Sequence, residues 1–286
     1  MLSESLQKKV DFAIKLLQSA EKKAAEVGQP VEICYSGGKD SDVILELAKM
    51  AGINYRAIYK NTTIDPPGTI KHCKEKGVEI VNPSLSFFKI VEKESPPTMR
   101  ARICCKHLKE YKILDVSVQG IRRCESEKRK ENYQEPTICR IYSNKKNAVE
   151  VFLPILQWDN EDVKNFVEDR GIKCHPLYYD NQMNFHVERR LGCLGCPLKS
   201  DRGVSDYKRY PKLLKQLVIA TKKWLETHPD AESATKFGDA YRITYHNLFC
   251  KSYEDFQYRM QPTLFGDVPD CRKLLEGYFG INLDLD

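Results

Sequence analysis

The chain has 286 residues and a net charge of +6, with 41% hydrophobic and 30% charged side chains. That is the composition of a globular protein, with room for one large domain or one domain plus an appendage. No apolar stretch approaches the roughly 20 residues of a membrane-spanning helix, and the N-terminal MLSESLQKKVDFAIKLLQ lacks the apolar centre of a secretion signal, so no membrane and a cytoplasmic location are expected.

In chain order, an amphipathic helix is expected over about 4–27, followed by a short buried strand, VEICYS, at 31–36. SDVILELAKMAG at 41–52 has helical apolar spacing and a glycine stop. Strands follow at 54–61 and 78–83, with helices at 67–76 and 84–93. ILDVSVQGI at 113–121 and VEVFLPIL at 149–156 read as a fourth and a fifth strand, and 160–171 as a helix. Strands alternating with helices imply an α/β fold with a doubly wound, mainly parallel sheet. Beyond 203 no convincing strand occurs, 205–227 looks helical and the tail is mixed. The expected organisation is an α/β domain over 1–203, carrying cysteines near its end, and a mostly helical C-terminal part over 204–286.

The segment YSGGKDSD at 35–42 lies between a strand and a helix. In open parallel sheets ligands bind at such turns. Gly37 and Gly38 allow close approach of backbone to a ligand. The helix beginning near Ser41 directs its free N–H groups at the loop, which favours an anion. Lys39 adds a full positive charge, and Ser36 and Ser41 add hydroxyl donors. Asp40 would repel a phosphate unless a cation intervenes, so it reads as a contact for Mg²⁺. The glycine–lysine spacing is not that of a Walker A loop. SGGKDS resembles the PP-loop of the adenine-nucleotide alpha hydrolase superfamily, with Ser36, Gly37, Gly38, Lys39, Asp40 and Ser41 at the matching positions. The resemblance implies an adenine nucleotide as partner, either ATP cleaved between the alpha and beta phosphates or a sulfonucleotide, and the lysine favours ATP.

Eleven cysteines are many for a reducing compartment, where clustered thiols point to metal or catalysis rather than disulfides. Cys34, Cys73, Cys139, Cys174, Cys250 and Cys271 are isolated and read as packing residues. Cys104 and Cys105 are adjacent, and Cys193 and Cys196 form a Cys-x-x-Cys turn. Such a turn can serve zinc or an iron–sulfur cluster. The nearby Arg100, Arg102, Lys106, His107, Arg189 and Arg190 would favour thiolates. The pattern resembles the phosphoadenosine phosphosulfate (PAPS) reductase family. In the adenosine phosphosulfate (APS) reductase branch of that family, a Cys-Cys pair and a later Cys-x-x-Cys hold a 4Fe-4S cluster. The resemblance therefore implies Cys104, Cys105, Cys193 and Cys196 as cluster ligands, with zinc as the alternative. It extends over about 30–200: GIRRCESEKR at 120–129, LPILQWDNEDVKNFV at 153–167 and HPLYYDNQM at 175–183 are similar to family segments in the same order. The first of these implies Arg122, Arg123, Ser126 and Arg129 near the phosphate or sulfate, with Arg122 and Arg129 steadying charge in the reaction.

Two departures matter. Reductases attack sulfur with a cysteine in a C-terminal Glu-Cys-Gly motif, and neither Cys250 in LFCKSYED nor Cys271 in PDCRKLL has those flanks. Where the family often has Asp-Thr-Gly after its second strand, this chain has NTTIDPPGT, with Asn61 at the acidic position and Asp65 as a substitute polar or metal contact. Glu125 gives the Gly-x-Arg-x-x-Glu-Ser form, similar to DNA-phosphorothioation and phage-type members. Together these imply ATP-dependent sulfur transfer with an iron–sulfur cluster. The alternatives are a PAPS or APS reductase with an external thiol and a nucleotide-binding, non-catalytic subunit. A sulfur donor or thiol-reductant protein is an expected partner. The basic stretches at 122–130 and 199–223 leave open a nucleic-acid substrate, and a homodimer is also left open.

Overall fold

The computed structural model describes residues 2–142, 147–262, 264 and 266–284. The first part of the chain alternates strand and helix: α1 (Glu4–Glu26), β1 (Val31–Tyr35), α2 (Lys39–Ala51), β2 (Tyr55–Lys60), α3 (Thr69–Glu75), β3 (Glu79–Val81), α4 (Phe87–Lys93) and α5 (Ile103–Leu108). It continues as β4 (Val116–Val118), α6 (Glu127–Asn132), β5 (Thr137–Arg140), β6 (Val149–Phe152) and α7 (Asn160–Asp169). The rest is helical: α8 (Val204–Arg209), α9 (Pro211–Thr227), α10 (Glu232–Phe237), α11 (Ala240–Phe249), α12 (Tyr253–Arg259) and α13 (Cys271–Phe279). Among the described residues no helix is long and apolar enough to cross a membrane.

Two compact units divide the chain. The first holds the residues up to Asn61, Asp65–Pro83 and Leu108–Gly192. Its six-stranded sheet runs β3-β2-β1-β4-β6-β5, parallel except for the antiparallel edge strand β5. Chain order turns back between β1 and β4, so the loops after these two neighbouring strands flank the switch point where open α/β sheets bind ligands. α1 supports the sheet from one side. Ser3 accepts the Leu6 N–H and caps the helix, and Leu6, Val10, Ala13, Leu17, Ala20 and Ala24 recur at three- and four-residue steps as its buried stripe. Trp158 and Phe166 pack edge to face at 5.3 Å within the same core.

The strand expected over 113–121 is only three residues long. Side chains claim the backbone before it: Glu32 accepts the Leu114 N–H at 2.7 Å, and Gln29 accepts that of Asp115 at 3.2 Å. Glu32 also forms a buried ion pair with Lys60 at 3.0 Å. β5, α5 and α6 lie in stretches where the sequence suggested no element.

The second unit holds Thr62–Ile64, Ser84–His107 and the described residues from Cys193 onward. The long helix expected over 205–227 is two helices. Tyr210 precedes a proline, which disfavours helical backbone, and it adopts φ −128° and ψ 68° between α8 and α9. The mixed tail is a series of helices, three of them capped by Asp239, Ser252 and Asp270. Their core gathers Trp224, Phe237, Ile243, Phe256 and the thiols of Cys250 and Cys271.

Candidate functional site

The loop after β1 is a closed hydrogen-bonded turn. Gly37 sits at φ +77°, and a side chain there would begin 3.0 Å from Thr69 Cγ2 and 3.2 Å from Leu191 Cδ2. Only glycine suits both the left-handed backbone and that space. Ser41 Oγ donates to the Gly38 carbonyl at 2.7 Å, Ser36 Oγ donates to Ser41 Oγ at 3.3 Å, and Ser36 Oγ accepts from Gly38 N at 3.4 Å. The two serines therefore shape the loop as well as offering hydroxyls to a ligand. α2 begins at Lys39, two residues earlier than expected.

Lys39 is almost fully buried, with Nζ 3.2 Å from Asp40 Oδ2 and 5.4 Å from the centre of the Tyr178 ring. Burial lowers its pKa, Asp40 opposes this, and the charges of Arg122 and Arg190 add to the lowering. Asp40 Oδ1 lies 2.7 Å from Arg122 Nε, off the direction of a good hydrogen bond. Arg122 is 1% exposed and also donates from Nη1 to Cys124 Sγ at 3.1 Å and from Nη2 to Asn160 Oδ1 at 3.0 Å. It is a buried clamp between the loop after β4 and the first turn of α2. Both Asp40 oxygens thus face cationic side chains.

Arg129 pairs with Glu125, and burial, with Arg190 next in effect, lowers its pKa. Arg190 Nη2 donates to the Glu125 carbonyl at 2.8 Å. The structure thus gathers Lys39, Arg122, Arg129 and Arg190 within mutual electrostatic reach, balanced by Asp40 and Glu125. Arg123 turns to Gln134, to which it donates at 3.2 Å, and Ser126 caps α6 by accepting the Arg129 N–H at 3.2 Å. Asn61 donates to Asn82 Oδ1 at 2.9 Å, and Asp65 accepts from the Tyr59 hydroxyl.

The four clustered cysteines all belong to the second unit. Cys104 and Cys105 sit on α5, and Cys193 donates to Thr62 Oγ1 at 3.6 Å. The Leu194 N–H donates to the Ile64 carbonyl at 2.8 Å and fastens the second pair. Gly195 makes the Cys-x-x-Cys turn: its φ is +65°, and a side chain would begin 2.2 Å from Tyr207 Oη. Asp206 accepts the Gly195 N–H at 2.8 Å and the Lys199 ammonium at 2.6 Å. A hydrogen bond with Cys105, then burial, then the proximity of Cys105, Cys193 and Cys196 push the Cys104 thiol up. The four thiols are half-buried and influence one another electrostatically, an all-sulfur donor set of the chemical type that iron–sulfur clusters and zinc take. Among the described residues no group of three or more His, Cys, Asp or Glu is placed to hold a metal ion.

Residues 30–199 match the phosphoadenosine phosphosulfate reductase domain. The chain belongs to the PAPS reductase domain family. A similar solved structure is the phosphoadenylyl-sulfate (PAPS) reductase from Candida auris in its phosphate complex, at 16% identity over 65% of this chain and 96% of that chain, with a TM-score of 0.42. No curated protein matches the sequence.

In this member of the PAPS reductase family, the packing behind the loop depends on residues that sequence reasoning left unassigned. Asp42 is 2% exposed; it accepts from the Tyr35 hydroxyl and lies 3.1 Å from His72 Nε2 through either oxygen. His72 meets His175 edge-on at 5.7 Å, and burial, with His72 beside it, lowers the His175 pKa. These contacts tie α2 to α3. Asp42 stands inside the YSGGKDSD segment itself, so its place one turn into the helix was the available signal. Arg190 appeared in the sequence only as a charge near the cysteines, whereas its contact is with Glu125 of the loop after β4.

Proposed function

We propose that the chain is a PP-loop enzyme that activates an acceptor by cleaving ATP between the alpha and beta phosphates, in the service of sulfur transfer. The observation that carries this reading is the pairing of the lysine-bearing loop after β1 with the Arg122–Asp40 clamp from the loop after β4, at the switch point of the sheet. ATP enters as its magnesium complex, and Asp40 is the loop carboxylate available to the cation. Loop amides with Lys39, Ser36 and Ser41 hold the beta and gamma phosphates. An acceptor oxygen attacks the alpha phosphorus, the bond to the bridging oxygen breaks, and pyrophosphate leaves with the charge. Arg129 and Arg190 steady that charge, and Arg122 holds Asp40 in place. Positioning and charge neutralisation supply most of the rate in such transfers.

Cys104, Cys105, Cys193 and Cys196 would hold a 4Fe-4S cluster. When bound, such a cluster supplies electron or sulfide chemistry, or simply order. The similarity of the Glu125 segment to DNA-phosphorothioation members makes a nucleic acid a candidate acceptor and a sulfur-donor protein a candidate partner.

The family match favours a second reading, reduction of PAPS or APS. Neither C-terminal cysteine supports an internal nucleophile. Cys250 and Cys271 are buried in the helical core, with their thiols pushed up by burial to about 11 and about 12. A reductase built on this chain would need a thiol from another protein. The two readings separate in one comparison under anaerobic conditions: pyrophosphate release from ATP, and sulfite release from PAPS or APS with thioredoxin. Pyrophosphate release that falls at least a hundredfold in Lys39→Ala supports ATP cleavage. Sulfite release alone replaces it with the reductase reading, and nucleotide binding with neither product leaves a non-catalytic subunit.

A further inference from the structure

Tyr178 is 2% exposed yet carries a polar hydroxyl. It closes the short 3-10 turn Pro176–Tyr178, in which His175 Nδ1 accepts the Leu177 N–H at 3.2 Å. Its backbone is held on both sides: its N–H donates to the His175 carbonyl at 2.9 Å, and its carbonyl accepts from His186 N at 2.7 Å. The ring lies beneath the Lys39 ammonium, 5.4 Å from Nζ to its centre. The hydroxyl oxygen accepts the Leu191 N–H at 3.2 Å, and Leu191 Cδ2 in turn lies 3.2 Å from the point where a side chain on Gly37 would begin. The same oxygen stands 3.3 Å from the point where a side chain on Gly38 would begin. The loop is thus built against this hydroxyl.

We propose that Tyr178 is the positioning residue of the phosphate loop, seating Leu191 against the loop glycines through its hydroxyl and holding the Lys39 ammonium through its ring. The role rests on the phosphate-binding reading of the loop. A hydrophobic contact alone would not need the hydroxyl. The Leu191 N–H, beside the loop glycines, takes this hydroxyl as its acceptor. Burial raises the phenol pKa, so the group stays neutral and keeps its geometry across the physiological range.

The test uses the full chain and two variants, Tyr178→Phe and Tyr178→Leu. The first removes the acceptor and keeps the ring; the second removes both. Hydrogen exchange of the Leu191 amide is read together with calorimetric titration of magnesium-ATP. In Tyr178→Phe the Leu191 amide should exchange about fivefold faster, the worth of one neutral hydrogen bond, with sheet amides unchanged. ATP affinity should fall by a similar factor. Tyr178→Leu should lose several-fold more affinity, through the cation–π contact. Unchanged exchange at Leu191 in Tyr178→Phe overturns the proposal, as does a uniform rise across the whole first unit, which would mark a packing role. Faster exchange at Leu191 in a protein whose wild type binds no ATP would leave the positioning role standing and remove the ATP reading.

Discussion

Arg122 and Arg123 are neighbours in sequence with opposite roles. Arg122 is buried against Asp40, Cys124 and Asn160, whereas the Arg123 guanidinium turns to Gln134. Removing one partner of a buried ion pair strands the other, at a typical cost of 3–5 kcal/mol. Arg122→Ala is therefore expected to lower stability by about 3 kcal/mol in denaturant titration. Arg129→Ala, a half-exposed pair with Glu125, should cost under about 1 kcal/mol while still weakening nucleotide binding. Equal losses from both would contradict the assignment of Arg122 as the clamp. The string GIRRCESEKR announced a charged loop, because residue types are visible in sequence. Which arginine faces inward depends on the angle at which the chain leaves β4, and spacing does not encode that angle.

At the level of elements, the joint between α2 and α3 is the buried Asp42–His72–Tyr35 group. His72→Leu would leave a buried carboxylate with one partner fewer and should cost about 1–3 kcal/mol in unfolding free energy. The helical core of the second unit makes a pH prediction. Cys250 is pushed up to about 11 by burial and by Asp255, and Cys271 to about 12 by burial and by Asp239. An unfolded thiol ionises near about 8.5. The folded state keeps protons that the unfolded state gives up, so the stabilising contribution is full below about 8.5 and is lost as pH rises through the folded values. Unfolding midpoints measured from pH 7 upward should fall beyond about 8.5, and less steeply in Cys250→Ala. A flat profile would contradict the burial of these thiols. Strongly periodic helices such as α1 and α2 were legible to within a few residues. β5 was not, because a four-residue edge strand has too few positions for alternation to show, and the break between α8 and α9 lay at a proline inside an otherwise continuous helical pattern.

For the whole molecule, the sheet order β3-β2-β1-β4-β6-β5 explains why two segments far apart in sequence, YSGGKDSD and GIRRCESEKR, meet at one site. Strand alternation made the α/β class legible, and the loop motifs made the site's first residues legible. Tyr178 and Arg190 were not, because each reaches the site through a long-range contact with no local pattern. The cysteines make a separate prediction. Anaerobically purified protein should carry about four irons and four sulfides and absorb in the visible. Cys104→Ser and Cys193→Ser should lose both the iron and the colour, and a colourless protein holding zinc would replace the cluster. The central claim concerns the loop, and the products of ATP labelled at the alpha phosphate test it most directly. Incubated with the anaerobically prepared chain and nucleic-acid acceptors, the label should appear in AMP or an adenylated acceptor, with pyrophosphate formed alongside and both lost in Lys39→Ala. Label that emerges in ADP, or that stays in ATP while PAPS is reduced, would contradict it.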